Sequence, residues 1–446
     1  MNKLIYATFA LLLLFFSSCE KDTSLDKKPV NEWIYETMEK YYYWYDKLPA
    51  ISKTDLNAKP DVFFESLLYS GDGKDGLHYS RIEEEVDTKS GSISTTYGFN
   101  YGFVIFSENA TNVYMRVNYT ISGAPAEEAG LQHGDWISSY NGIQLTSGNY
   151  TDFIESRGEV VLSVGKIVNR KFVKTHDVTI RAAVSMAENP IYIDTTYLVN
   201  NKKISYLMYN SFVSGPEDYN DETYDNQLKT VFANFAGQNP DEFILDLRYN
   251  PGGLLSSAQV LATLLAPQSA LDKQFCRLIY NEKLNKTVEY NLDKSILGSG
   301  NSLNLNRLFI ITSERTASSS ELIINGLRPY IDIVLVGGVT EGKNVGSNEY
   351  SDKTNHNWVL HPITCLVENS EGFSDYSNGF NPDFPLDEIS QFTDIKPLGD
   401  TEELMLGGVL GIIENGTLPV KYLKSAEAEI SVLPLPHKQI EGIIIN

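Results

Sequence analysis

The segment Leu308-Phe-Ile-Ile-Thr312, then Arg315-Thr-Ala-Ser-Ser-Ser-Glu321, then Leu322-Ile-Ile-Asn-Gly-Leu327 is followed by Ile333-Val-Leu-Val-Gly337 and Glu341-Gly-Lys-Asn-Val-Gly346. Both short apolar runs read as buried strands, and Glu321 to Leu327 reads as helix. Strand, turn, helix, strand, turn is a parallel crossover. It carries Ser318 in the first turn and Lys343 in the second to the same edge of a sheet. Open α/β sheets hold their ligands there, beyond the carboxyl ends of the strands. A serine attacking a carbonyl needs a base, and a desolvated lysine with a lowered pKa supplies one. The pair predicts a Ser–Lys hydrolase.

The same alternation extends upstream. Lys203-Ile-Ser-Tyr-Leu-Met-Tyr209 reads as a strand, and the next helix puts Tyr224, Leu228, Val231, Phe232 and Phe235 on one face. A second buried strand, Phe243-Ile-Leu-Asp-Leu-Arg248, runs into Tyr249-Asn-Pro-Gly-Gly253, and Ala258 to Leu265 is helical. Alternating strands and helices predict an α/β core with a mostly parallel sheet, assigned to residues 187–420. The last stretch, 421–446, holds Pro-interrupted apolar runs that read as an edge strand or arm without an assigned function.

A chain of 446 residues is too long for one ordinary core. Residues 1–18 read as an export signal: Lys3 supplies the charge, Leu4 to Phe16 the apolar stretch, and Ser17-Ser18 lead into Cys19. This pattern resembles a bacterial lipoprotein signal, with Cys19 as the lipid-bearing residue; an ordinary cleaved signal is the alternative. Residues 19–30 then form a polar tether. In 31–92, Ile34, Met38, Tyr41, Tyr42 and Tyr45 mark an amphipathic helix and predict a small helical unit.

Residues 93–186 are rich in β-type runs. Ser122-Gly-Ala-Pro-Ala-Glu-Glu-Ala-Gly-Leu131 reads as a short helix with proline near its start and glycine at its end. Tyr140-Asn-Gly142 marks a tight hairpin turn. With Asn100-Tyr-Gly-Phe103, this region resembles the circularly permuted PDZ domain of bacterial proteases. The resemblance makes Asn100, Tyr101, Gly102 and Phe103 a carboxylate-binding loop, beside a sheet edge that takes up a peptide as an added strand.

The net charge of −22, from 36 basic and 58 acidic residues, argues against nucleic acid as a partner. Beyond Cys19 only Cys276 and Cys365 remain, without metal-type spacing: a disulfide or two buried thiols. His356 and His361 lack a partner cysteine or acidic cluster, so neither metal nor cofactor is expected.

Leu245-Asp-Leu-Arg-Tyr-Asn-Pro-Gly-Gly253, Thr316-Ala-Ser-Ser-Ser-Glu321, Gly342-Lys343 and Gly379-Phe-Asn-Pro-Asp383 together resemble the C-terminal processing peptidases, or tail-specific proteases. By residue type alone, Ser319 and Ser320 compete with Ser318; the family spacing selects Ser318 as nucleophile. The resemblance implies Lys343 as general base, Gly253 and Ser319 as oxyanion-hole N–H donors, and Glu321 as a residue that orients the lysine. Three positions depart from it. Ser347 stands where the family often has a glutamine four places after the lysine, Glu341 where many relatives carry an aromatic residue, and Pro329 in place of an aspartate. An acid beside the base raises the lysine pKa, opposing the effect of burial. The resemblance implies an envelope serine endopeptidase, lipid-anchored to a bacterial outer membrane. Its substrates would be proteins or peptides with accessible C-termini. A lipid-anchored peptide-binding protein with little or no catalysis is the second reading.

Overall fold

The computed structural model describes residues 27–74, 76–84, 93–106, 111–298, 300, 302–422, 430–433 and 443–445. The signal, Cys19 and most of the tether lie outside them.

The central sheet runs 191–199, 202–209, 242–246, 307–312, 332–337, 384–385 in spatial order. Its first pair is antiparallel and all others are parallel. Helices cover both faces, because strands such as Phe243-Ile-Leu-Asp are apolar on both sides. Thr223–Gln238, Leu255–Leu265 and Ser319–Leu327 contribute to one apolar core. Leu404–Asn415 packs into a second core with Tyr206, Ile244, Phe309 and Val336. This is the mixed α/β architecture expected, and it sets three turns side by side. The strands ending at Asp246, Thr312 and Gly337 are adjacent and in register, with Asp246 opposite Ile311 and Thr312 opposite Gly337. Each therefore releases its turn at the same edge.

A five-stranded sheet lies beyond that edge, in the order 287–291, 274–280, 363–368, 345–348, 443–445. Cys276 and Cys365 are buried in it as free thiols, and burial pushes Cys365 up to about 12.

The region 93–186 forms an antiparallel sheet, 171–180, 160–168, 136–140, 113–120, 99–106, closed at its edge by 430–433. The hairpin at Asn141-Gly142 is present, both residues having positive φ. The segment Asn100–Phe103 is not a loop. It lies within the strand Phe99–Phe106 because its residues pair with Val113–Thr120, with a bulge between Asn100 and Tyr101.

The N-terminal unit is less helical than the sequence suggests. The helix Lys27–Tyr41 stops before the predicted Tyr45, since the Tyr43 N–H donates instead to the Ile363 carbonyl at 2.8 Å. After a second helix, Pro60–Glu65, the chain turns to β-structure, and Arg81–Glu84 pairs with Trp358–His361. Ile34, Met38 and Tyr42 are fully buried against Val345, Leu360 and Ile363. His356 packs against Trp33 in a tilted arrangement with ring centroids 4.3 Å apart, and His361 meets Glu83 at 2.9 Å.

Candidate active site

Ser318 caps the N-terminus of the helix Ser319–Leu327 with φ 59° and ψ −112°. A side chain rarely holds such a backbone, and strain of this kind is worth about 1–3 kcal/mol. The Ser318 hydroxyl is buried and, among the described residues, has no hydrogen-bond partner. Its backbone N–H donates to the Glu321 carboxylate at 2.9 Å, so the capping bond that forms is the one from Glu321.

Glu321 joins two turns. The same carboxylate accepts the N–H groups of Gly342 at 2.7 Å and Lys343 at 2.8 Å, and the Thr340 hydroxyl at 2.6 Å. Burial pushes its carboxyl up to about 7, although these donors favour the charged form. Glu321 therefore grips the backbone on either side of the site. The lysine turn is braced from outside by the 379–383 motif: Phe380 N–H donates to the Thr340 hydroxyl at 2.8 Å. Gly342 has φ 103°, and a Cβ there would lie 2.3 Å from the Ser377 carbonyl oxygen. Only glycine fits.

The Lys343 ammonium is fully buried and sits over the Tyr79 ring, 4.6 Å from its centroid. The Tyr79 hydroxyl donates to Glu341 at 3.2 Å, and burial followed by the charges of Glu341 and Glu321 pushes its pKa well up. Lys74 reaches the Glu341 carbonyl oxygen at 2.6 Å. The N-terminal unit thus supplies a wall of the site. Nothing in the sequence signals Tyr79, which stands far from both motifs.

The glycine turn is stitched onto the serine turn. The Ser319 hydroxyl donates to the Gly253 carbonyl at 2.7 Å, the Ser320 hydroxyl to the Asn250 carbonyl at 3.1 Å, and Ala317 N–H to Asn250 at 3.2 Å. Ser319 and Ser320 hydroxyls are thereby committed to structural bonds, unlike that of Ser318. Gly253 has φ 131°, and a Cβ would meet the Phe212 carbonyl oxygen at 2.2 Å. Among the described residues, neither the Gly253 N–H nor the Ser319 N–H has an acceptor. Two donors are therefore available beside the serine, the arrangement that holds a developing oxyanion.

Residues matching family models lie at 203–385, "Peptidase family S41", and at 29–81, "Peptidase S41 N-terminal domain". The crystal structure of a "Putative S41 protease" from Bacteroides fragilis is 32% identical, covering 86% of this chain and 97% of that one with a TM-score of 0.75. The chain belongs to peptidase family S41. Members are serine-type peptidases, the carboxyl-terminal-processing proteases among them. Two relatives bearing that name, from Synechocystis and Picosynechococcus, are 25% and 26% identical over 67% and 60% of this chain. The matches span 66% and 60% of those proteins' own length.

Behind the glycine turn, the S41 core meets the 99–180 sheet through buried charge. Arg248, wholly buried, contacts Asp246 at 2.7 Å, Glu403 at 2.9 Å and Glu388 at 3.1 Å, and Arg116 of the neighbouring sheet lies 3.7 Å from Glu388. Burial pushes Glu388 up, but Arg116, Arg248 and His133 outweigh it and hold the carboxyl down at about 2. Arg315, three residues before Ser318, donates to the Tyr101 carbonyl at 3.2 Å. Gly102, Arg116, Arg248, Arg315 and Val432 help line a cavity of about 600 Å³ between the two sheets.

Proposed function

We propose that this chain is a serine endopeptidase of the carboxyl-terminal-processing kind. Ser318 Oγ attacks the scissile carbonyl while neutral Lys343 Nζ takes its proton. The oxyanion lies between the N–H groups of Gly253 and Ser319. Collapse expels the amine, which takes the proton back from Lys343, and leaves an acyl-Ser318. Water, deprotonated by Lys343, then releases the acid and restores the serine.

The observation that supports this best is the Glu321 clamp, which holds the serine and lysine turns on one carboxylate. In this reading Glu321 is a positioning residue that acts through the backbone of both turns. The region 93–186 acts as a PDZ-like unit whose Asn100–Phe103 edge draws in the substrate's C-terminal strand. Cys19 carries the lipid that fixes the enzyme to the outer membrane of a bacterial envelope.

A fluorophosphonate probe tests the chemistry: the expected adduct is on Ser318. Lys343→Ala and Lys343→Arg should both lose hydrolysis of a peptide with a free C-terminus, because guanidinium stays protonated. Near-normal turnover in either variant would overturn the dyad. A peptide-binding protein without catalysis has one observation in its favour, the complete burial of Ser318 and Lys343. Absence of any adduct once the site is opened would establish it.

A further inference from the structure

The burial of both reactive side chains raises the question of what fills the cleft. The segment Ile443–Ile445 runs parallel to Val345–Asn348, pairing Gly346 with Ile443, Ser347 with Ile444 and Asn348 with Ile445. That strand begins two residues after Lys343. On its other side Ile444 bridges to Leu254, and the Ile444 N–H donates to the Gly253 carbonyl at 3.1 Å. The same carbonyl accepts the Ser319 hydroxyl. An extended piece of chain therefore lies between the strand that follows Lys343 and the glycine turn, one hydrogen bond from Gly253.

The slot is shaped for such a strand. Asn348 Nδ2 donates to the Ile445 carbonyl at 3.0 Å, and Thr364 fixes that amide by donating to its oxygen at 2.7 Å. At Gly346 a Cβ would lie 3.0 Å from Ile445 Cδ1, so the strand packs closely over this position. Ser347, standing where relatives often carry glutamine, is the register partner of Ile444. All three isoleucines are buried, Ile443 completely.

The same extension fills a second edge. Ile430–Leu433 adds antiparallel to Phe99–Phe106, pairing Ile430 with Phe106 and Leu433 with Phe103. This is the edge assigned above to the substrate's C-terminal strand. The added strand reaches the Asn100–Phe103 segment only at Phe103, the rest of its pairing lying on Val104–Phe106. Both ladders are short, and short ladders open at low cost.

We propose that the space between Leu254 and Gly346–Asn348 is a slot for an extended aliphatic peptide, and that Ile443–Ile445 is its resident occupant. The resident holds the enzyme closed until a substrate strand displaces it. Main-chain bonds supply the affinity and the aliphatic walls the preference, the mode by which a peptide adds to a sheet edge. This rests on the peptidase reading for its consequence, but not for the binding itself.

The test uses the full chain. Ile444→Pro removes the N–H that reaches Gly253 and breaks the ladder; Asn348→Ala, a milder change, removes the amide that holds Ile445. In a Ser318→Ala background, a fluorescent peptide of sequence Glu-Gly-Ile-Ile-Ile-Asn should bind at least 10-fold more tightly to each opened variant than to the parent. With Ser318 intact, the opened variants should hydrolyse a test peptide at least 10-fold faster at low concentration, and the Glu-Gly-Ile-Ile-Ile-Asn peptide should inhibit them competitively. Thermal melting checks that each variant is folded, and Asn348→Ala carries the test if Ile444→Pro is not. Equal binding by parent and opened variants overturns the proposal. So does loss of hydrolysis in a variant that melts like the parent, since the strand would then be part of the working site. Tight binding by the opened variants, with no hydrolysis in the parent or in any variant, would refute the proposed reaction and leave the slot standing.

Discussion

Glu321 accepts the backbone N–H of Lys343 at 2.8 Å, on the same carboxylate oxygen that receives the N–H of Ser318 at 2.9 Å. One side-chain atom therefore fixes the distance between two turns that the chain separates by a helix and a strand. The consequences follow from its ionisation. Burial raises the Glu321 carboxyl to about 7, above its value of 4.5 in the open chain. Between those values the folded protein binds a proton that the unfolded chain does not, so this group's contribution to stability declines as pH rises from about 4.5 to about 7. Urea unfolding of wild type and Glu321→Gln should show a difference that shrinks by about 3 kcal/mol over that window. A difference that grows with pH would mean the four donors keep the carboxylate ionised throughout. At neutral pH the variant should also lose activity, because an amide NH₂ would face N–H donors.

Ser318 combines a strained backbone with a hydroxyl that no neighbour engages. Ser318→Ala should abolish hydrolysis while leaving the unfolding midpoint nearly unchanged, since no hydrogen bond is lost and the strain stays. Ser318→Gly should be equally inactive but more stable than wild type by about 1 kcal/mol, because glycine adopts positive φ without strain. Denaturant midpoints of the two variants, compared side by side, separate these outcomes. A glycine variant no more stable than the alanine variant would remove the strain argument.

Tyr79 touches both Lys343, through its ring face, and Glu341, through its hydroxyl. Tyr79→Phe keeps the first contact and Tyr79→Ala removes both. The alanine variant should lower kcat/KM by about 10-fold or more, the equivalent of a desolvated cation–π contact. The phenylalanine variant should retain most of the rate. Its rising limb should move to higher pH, because Glu341 loses a donor beside the base. Identical pH profiles for wild type and Tyr79→Phe would show that Glu341 does not influence the reaction.

The buried charges around Arg248 predict behaviour in acid. Glu388 is held at about 2, below its open-chain value of 4.5, by Arg116, Arg248 and His133 acting against burial. Its stabilisation is present above about 4.5 and disappears as pH falls toward 2. Glu388→Gln should cost about 3 kcal/mol at neutral pH and little near pH 2. Acid unfolding curves followed by circular dichroism test this, and a penalty independent of pH would contradict it.

The helix around Leu322, the strands at 308 and 333 and the glycine turn at 253 were legible because each is a local pattern: apolar runs, turn residues and short motifs at fixed offsets. The N-terminal helix is shorter than its aromatic pattern predicts. Tyr41 to Tyr45 continues the aromatic periodicity, but the backbone at Tyr43 finds its acceptor at Ile363. Glycine and resemblance predict a loop at Asn100–Phe103, while pairing with Val113–Thr120 makes it strand. Tyr79, Thr340 and Arg315 gave no sign of their roles.

By itself the sequence determined the S41 core, the order of its strands and helices, and the identity of the serine, lysine and glycine turns, because alternation of short apolar runs and turn signals is written in neighbouring residues. Only the tertiary structure decided that Glu321 binds the backbone of both turns. It also decided that Tyr79 lies under Lys343, and that Ile443–Ile445 runs between Val345–Asn348 and Leu254. Apart from the Glu321–Ser318 bond, those relationships join residues tens to hundreds of positions apart. They depend on which sheet edge is left unpaired and which buried polar group still needs a partner, and no local pattern carries that information.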